Sequence, residues 1–292
     1  MTESIIAVIG ATSGTGRPLV RALIGKGPHV RAISRRGDAA ALLPSGVELR
    51  GGDLQDAGSL AAAFAGASAI HYIPPSFDPR EPDFARHIIA AAERAGVARI
   101  VYHSVLHPGT PEMPHHFRKS QTEHLLRHSA LRWTIIQPAM YAQTALAFFD
   151  AEAGELIPAF DTAKPFAPIH EGDLAEAAAI IHSEDGHVFA TYELAGPEIL
   201  DSVAMAERLS AVLGRPISAR KASADTLVPR VAAPRGYTPG QARELRLMLD
   251  HYDGYGLVGN GNVLRMILGR EPTSFADAMR YSLGVAHEKV GI

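Results

Sequence analysis

Cysteine is absent from this chain of 292 residues, which excludes disulfides, a thiol nucleophile and any cysteine-ligated metal. A dominant charge is missing too. The 28 basic and 31 acidic side chains leave a formal net charge of -3, with no pull toward nucleic acid or an acidic lipid surface. No apolar stretch is long enough to span a bilayer, so no membrane association is expected. The opening Met-Thr-Glu-Ser carries no basic region, and the apolar run Ile5–Ile9 is too short for a secretory signal. A cytoplasmic location is therefore expected. Internal repeats and low-complexity tracts are lacking as well.

What remains is ordinary globular composition, 47% apolar and 20% charged, at a length that suits one domain with an appended lobe. From Ile5 to about Pro138, short apolar runs alternate with segments of helical periodicity, the rhythm of βαβ units around a parallel sheet. Strands are expected at Ile5–Ile9, Val30–Ser34, Val47–Arg50, Ala69–Ile73, Ile100–His103 and Trp133–Gln137. Helices are expected at Gly16–Gly25, Ser59–Phe64, Phe84–Ala95 and Phe117–His128. Later the pattern loosens. Glu155–Phe160, Phe166–Ile169 and Thr191–Leu194 read as short strands, Leu174–His182 and Val203–Leu213 as helices, and the rest as a mainly helical cap. The expected fold class is α/β, a doubly wound parallel sheet of the Rossmann type over residues 1–153. A small C-terminal α/β lobe follows over 154–292, with part of it near 165–195 returning to the core.

The strongest chemical signal is the first strand-to-helix turn, Gly10-Ala-Thr-Ser-Gly14-Thr-Gly16-Arg17. A pyrophosphate needs backbone N–H groups at close range and the positive end of a helix dipole. Gly10 permits the tight turn, Gly14 lets the backbone approach the phosphates, and Gly16 lets helix and strand pack closely. Thr12, Ser13 and Thr15 add hydroxyls within reach of phosphate oxygens. A glycine turn alone is weak evidence. Here an apolar strand precedes it and a helix follows, which favours a nicotinamide dinucleotide over a plain turn.

The end of the second strand selects the form of the cofactor. Where NAD sites place an acid for the ribose 2′-hydroxyl, this chain has Ser34-Arg35-Arg36 and no acid until Asp38. Guanidinium forks suit a 2′-phosphate, so NADP(H) is expected in preference to NAD(H), against the plainer reading of a solvated basic loop. Asp53 and Leu54 follow the third strand, where an adenine ring would lie, although a lone Asp in a turn is usually a helix cap. Ile73 and Pro74 end the fourth strand and Pro138 the sixth, in the same crevice.

The glycine turn, Asp53-Leu54, Ser104, His115-x-x-x-Lys119-x-x-x-Glu123 and Trp133-Thr-Ile-Ile-Gln-Pro138-Ala-Met-Tyr141 are together similar to the NmrA-like branch of the atypical short-chain dehydrogenases/reductases. His170-Glu-Gly-Asp173, Tyr192-Glu-Leu-Ala-Gly196-Pro197 and Gly269-Arg-Glu-Pro-Thr-Ser-Phe275 extend the resemblance along most of the chain. It implies a Rossmann fold, a small substrate lobe and NADP(H) held between them. It implies no single activity, because the family holds quinone and dye reductases as well as dinucleotide-binding regulators.

The wider superfamily's Tyr-x-x-x-Lys site becomes His115-x-x-x-Lys119 here. The spacing puts both side chains on one helix face. By analogy, Lys119 holds the nicotinamide ribose, and His115, titrating near 6.5 if unperturbed, serves as proton donor. The plainer alternative makes His115 a polar residue at a helix start. Ser104 would orient a substrate carbonyl or merely end its strand, and Tyr141 would border the nicotinamide. His103, His107, His115 and His116 straddle a strand end and a proline-containing loop, so no metal site is expected. Asp173 reads as a first-turn helix acid. The sequence thus points to an NADP(H)-dependent oxidoreductase of a small carbonyl, quinone or other conjugated substrate, monomeric or homodimeric. The alternative is a non-catalytic redox sensor that acts through a protein partner.

Overall fold

The structure is a computed structural model, and the residues it describes are 4–285. The elements run β1 (Ile5–Ile9), α1 (Gly16–Gly25), β2 (His29–Ser34), β3 (Glu48–Gly51), α2 (Ala57–Phe64), β4 (Ala69–Tyr72), α3 (Glu81–Ala95), β5 (Arg99–His103), α4 (Pro114–Arg127) and β6 (Arg132–Pro138). They continue with β7 (Phe149–Asp150), β8 (Glu155–Leu156), α5 (Glu171–Ser183), β9 (Ala190–Leu194), α6 (Ser202–Leu213) and β10 (Ser218–Ala219). Four helices follow: α7 (Ala224–Ala232), α8 (Pro239–Tyr255), α9 (Asn262–Leu268) and α10 (Phe275–Leu283).

Seven strands form one sheet in the order β3-β2-β1-β4-β5-β6-β9, and the first six pair in parallel. This is the doubly wound Rossmann arrangement. Its strand order reverses between β1 and β4, which places the binding crevice beyond the carboxyl ends of those two strands. The strands read as continuous apolar runs because both faces are covered. Ala7, Ile9, Ile70, Tyr72, Ile100 and Tyr102 pack with Phe64, Phe84 and Ile88 from the helices.

Local chemistry sets the helix limits. Pro18 lies in the first turn of α1, where a missing N–H is harmless. Asp56, not Asp53, caps α2, accepting from the Gly58 N–H at 2.7 Å. Helix α3 begins at Glu81, ahead of the first apolar residue of its periodic pattern.

The chain divides into two compact units, one of residues 1–111, 115–137 and 174–192, the other of 112–114, 138–173 and 193–292. The chain passes from the first unit to the second after Gln137, and residues 174–192 return to the first. The pair β7–β8 belongs to a separate three-stranded sheet with β10. Two expected strands are corrected. Only Glu155 and Leu156 of Glu155–Phe160 pair, since Pro158 lacks an N–H to donate to a ladder. Phe166–Ile169 makes isolated bridges to Leu200, Leu257 and Tyr141, a buried loop whose apolar run mimics a strand. Among the described residues no helix is long and apolar enough to cross a membrane, and no cluster of three His, Cys, Asp or Glu side chains could hold a metal.

Candidate active site

The three glycines of the first turn have different reasons to be glycine. Gly10 sits at φ +82°, and a Cβ there would lie 2.8 Å from the Ile73 carbonyl oxygen. At Gly16 a Cβ would lie 2.0 Å from the Gly10 oxygen, so α1 can approach β1 only with glycine there. At Gly14 a Cβ meets nothing within 4 Å and φ is not positive. Nothing within the protein requires that glycine. A ligand lying against the backbone would require it, and the exposed turn at the N-terminus of α1 is where a pyrophosphate binds.

Around the turn, Ser13 Oγ accepts from the Gly16 N–H at 2.9 Å, so this hydroxyl caps the helix and still has its own proton to donate. Thr12 and Thr15 are half-buried beside it. At the end of β2 the two arginines differ. Arg36 forks onto Asp38, Nε to Oδ1 at 2.9 Å and Nη2 to Oδ2 at 2.7 Å, while Arg35 is exposed. Asp53, half-buried after β3, folds into an Asx turn by accepting from the Gln55 N–H at 3.0 Å, with Leu54 beside it. Ile73 and Pro74 are buried at the end of β4.

At the end of β5, Ser104 is only 3% exposed and donates to Glu123 Oε1 at 2.5 Å. The same oxygen accepts from Gln137 Nε2 at 2.7 Å, and Arg127 pairs with Oε2 at 3.0 Å. With its proton committed to Glu123, the Ser104 oxygen can act only as an acceptor toward a further partner. Lys119, 5% exposed, pairs with Glu81.

His115, at the start of α4, is half-buried, with its ring 4.4 Å from that of Phe77 and its Nδ1 buried without a hydrogen-bond partner. Burial, then the charges of Lys119, His116 and Arg118, push the imidazole well below its ordinary range. The premise of a histidine titrating near neutrality is therefore corrected: His115 is uncharged at neutral pH and can offer only a neutral N–H. Phe77 and His107 hold left-handed backbone, φ 58° and 54°, in the loops after β4 and β5. Both meet the first turn of α4, Phe77 through the His115 ring and His107 through its carbonyl, 3.4 Å from His116 Nδ1. Non-glycine residues held this way gather where function needs a fixed shape.

Gly10 to Gly16, Arg35, Arg36, Asp53, Leu54, Ile73, Pro74, Ser104, His115 and Lys119 thus all belong to the first unit, at or beyond the carboxyl edge of its sheet. Pro138 and Tyr141 belong to the second, where Tyr141 bridges Ile169. Asp173 is tethered within the second unit, accepting from Arg270 Nη2 at 2.8 Å and from the Thr273 N–H at 2.6 Å, which together with the His170 contact holds it down at about 2 despite burial. Glu81 and Phe77 were not singled out in the sequence. Glu81 lies outside the helix Phe84–Ala95 expected there, and its partner stands 38 residues away.

Residues 10–181 match the family described as NAD(P)H-binding. A (4-alkanoyl-5-oxo-2,5-dihydrofuran-3-yl)methyl phosphate reductase of Streptomyces griseus is 29% identical over 238 residues, 80% of this chain and 82% of that one. The crystal structure of the NADPH-dependent quinone oxidoreductase of Escherichia coli in complex with NADPH superposes with a TM-score of 0.82 at 27% identity. That match covers 95% of this chain and 99% of the other. The negative transcriptional regulator NmrA in complex with NAD, 20% identical with a TM-score of 0.76, shares the fold over 98% of this chain and 99% of its own.

Proposed function

We propose that this chain, which belongs to the NAD(P)H-binding family, is a cytoplasmic NADPH-dependent oxidoreductase that reduces a small quinone, carbonyl or other conjugated compound. The turn carries the reading, with Gly14 leaving open space at the N-terminus of α1 where a pyrophosphate would lie against the backbone. The tight spaces at Gly10 and Gly16 support the same reading, and the residues present fit a dinucleotide.

The Gly10–Gly16 turn would hold the pyrophosphate, Arg35 with Arg36 the 2′-phosphate, and Asp53 with Leu54 the adenosine. Lys119 would donate to a ribose hydroxyl. Ser104, its proton turned toward Glu123, would accept from a ligand N–H or O–H. Ile73 and Pro74 would border the nicotinamide, which when bound supplies a hydride. His115 would offer a neutral imidazole N–H to a substrate oxygen. A neutral donor suits a quinone better than an aldehyde, because a hydroquinone anion takes its proton from water while an alkoxide needs a donor at hand.

The relatives named as a reductase and as a quinone oxidoreductase support the enzyme over a sensor, since the NmrA likeness carries the fold alone. The test is NADPH oxidation by the purified protein across a panel of quinones, azo dyes and aldehydes. Turnover with a quinone is expected. Tight NADPH binding without turnover on any member would replace this reading with a dinucleotide-responsive binder of a protein partner.

A further inference from the structure

Glu81, the first residue of α3, is 0% exposed. An acid in a first helical turn is ordinarily solvated and serves the helix dipole. Here both carboxylate oxygens face the Lys119 ammonium, at 3.2 and 3.3 Å, and Oε1 also accepts from the Tyr102 hydroxyl. Lys119 is itself 5% exposed, with its Nζ 5.9 Å from the centre of the Tyr102 ring. Burying two charges is costly unless each is fixed by its partner, so this contact pins α3, β5 and α4 at one point.

We propose that Glu81 is the positioning residue for Lys119, holding the buried ammonium charged and oriented so that one of its N–H bonds stays available to a ribose hydroxyl of the dinucleotide. The proposal rests on the reading that Lys119 meets the ribose. An ammonium has three donors, of which Glu81 takes two at most.

The surroundings leave the task to Glu81. Burial pulls Lys119 below the usual lysine range and Arg118 adds to that pull, while Glu81 opposes it. Tyr72 from β4 and Tyr102 from β5 are held un-ionised by burial and the field of Glu81. His103 from β5 and His115 from α4 are held neutral by burial. Glu123 on α4 is engaged by Ser104, Gln137 and Arg127. Without the Glu81 charge, the ammonium would give up its proton at a lower pH, and its donor to the ribose would weaken with it.

The experiment measures NADPH affinity of the full chain from about pH 7 to about pH 9.5, above the second ionisation of the 2′-phosphate. Glu81→Gln is isosteric. It should bind close to the unsubstituted affinity at the low end and about tenfold more weakly, relative to the unsubstituted protein, at the high end. A role in packing alone would shift affinity equally at every pH, and that flat response overturns the claim that Glu81 holds the ammonium charged. The double variant Glu81→Gln/Lys119→Met removes both buried charges and should fold, bind weakly and show no tilt with pH. If the double variant binds NADPH as the unsubstituted protein does, the ribose reading itself falls. If it binds weakly while Glu81→Gln stays flat, only the positioning role falls. Should Glu81→Gln not fold, Glu81→Asp keeps the charge but draws it back by one methylene. It should bind NADPH more weakly at every pH, and unchanged affinity would overturn the proposal.

Discussion

Arg36 spends its fork on Asp38: two parallel bonds at 2.9 and 2.7 Å join them across a single intervening residue. The neighbouring Arg35, exposed at the end of β2, has no such tie. The two arginines that read alike in the sequence should therefore contribute unequally to a 2′-phosphate. Calorimetry should show Arg35→Ala weakening NADPH by roughly tenfold or more while NADH barely changes. Asp38→Asn frees the second fork and removes an anion beside the phosphate, so NADPH should tighten. Equal affinity of the unsubstituted protein for NADPH and NADH would remove the phosphate role from both arginines.

The glycine turn allows a clean separation of fold from binding. A Cβ at Gly14 would meet no atom within 4 Å beyond its chain neighbours, so Gly14→Val should melt within a few degrees of the parent protein. It should nevertheless lose both dinucleotides, because the side chain fills the space a pyrophosphate needs. Gly16→Ala should behave oppositely and lower Tm, since its Cβ would sit 2.0 Å from the Gly10 oxygen. A folded Gly14→Val protein that titrates NADPH normally would exclude the turn as a phosphate cradle.

Much of this was legible in the sequence where the cause is local. The limits of β1 and α1 follow from a β-branched run, a glycine turn and a proline in the first helical turn, all within twenty residues. The Glu81–Lys119 pair was not legible, because nothing near Glu81 says that a lysine 38 residues on will lie against it. The onset of α3 was missed for a related reason. Glu81, Pro82 and Asp83 begin a helix without apolar periodicity. In the second unit, buried loops such as Phe166–Ile169 carry the apolar run of a strand with only single bridges, a distinction made by the partner chain segment and not by composition.

A cluster of neutral histidines makes stability depend on pH. His71 Nδ1 and His182 Nε2 share a hydrogen bond of 3.1 Å, and the His103 ring lies 6.1 Å from that of His71. Burial lowers His71 to about 3 and pushes His103 and His182 well below their ordinary range. In the unfolded chain all three titrate near 6.5. Between about pH 6.5 and about pH 3 the unfolded state therefore binds protons that the folded state refuses. Their stabilisation is complete above pH 6.5 and is lost as the pH falls toward 3. Urea unfolding followed over this range should give a slope that flattens by about 1.4 kcal/mol per pH unit in His71→Gln. An unchanged slope would mean that His71 already titrates in the folded protein.

The His115 ring packs on Phe77 at 4.4 Å and is held neutral, chiefly by burial. Phe77 in turn keeps left-handed backbone at φ 58°, a conformation that only glycine adopts without cost. An acceptor that becomes an alkoxide needs a proton donor at contact, and loss of such a donor costs about 10²–10⁴ in rate. A quinone that becomes a hydroquinone anion does not. A neutral imidazole can give only a hydrogen bond, so His115→Ala should lower kcat for aldehydes by roughly tenfold, leave quinone reduction within a few-fold, and leave NADPH affinity nearly unchanged. The pH profile supplies an independent check. A neutral imidazole predicts no step near pH 6.5 in kcat for aldehydes, because the group carries no imidazolium proton to lose there. A step at that pH which disappears in His115→Ala would show a charged acid at work and overturn the neutral assignment. Equal losses on quinones and aldehydes would instead make His115 a wall of the pocket and leave the proton to another group.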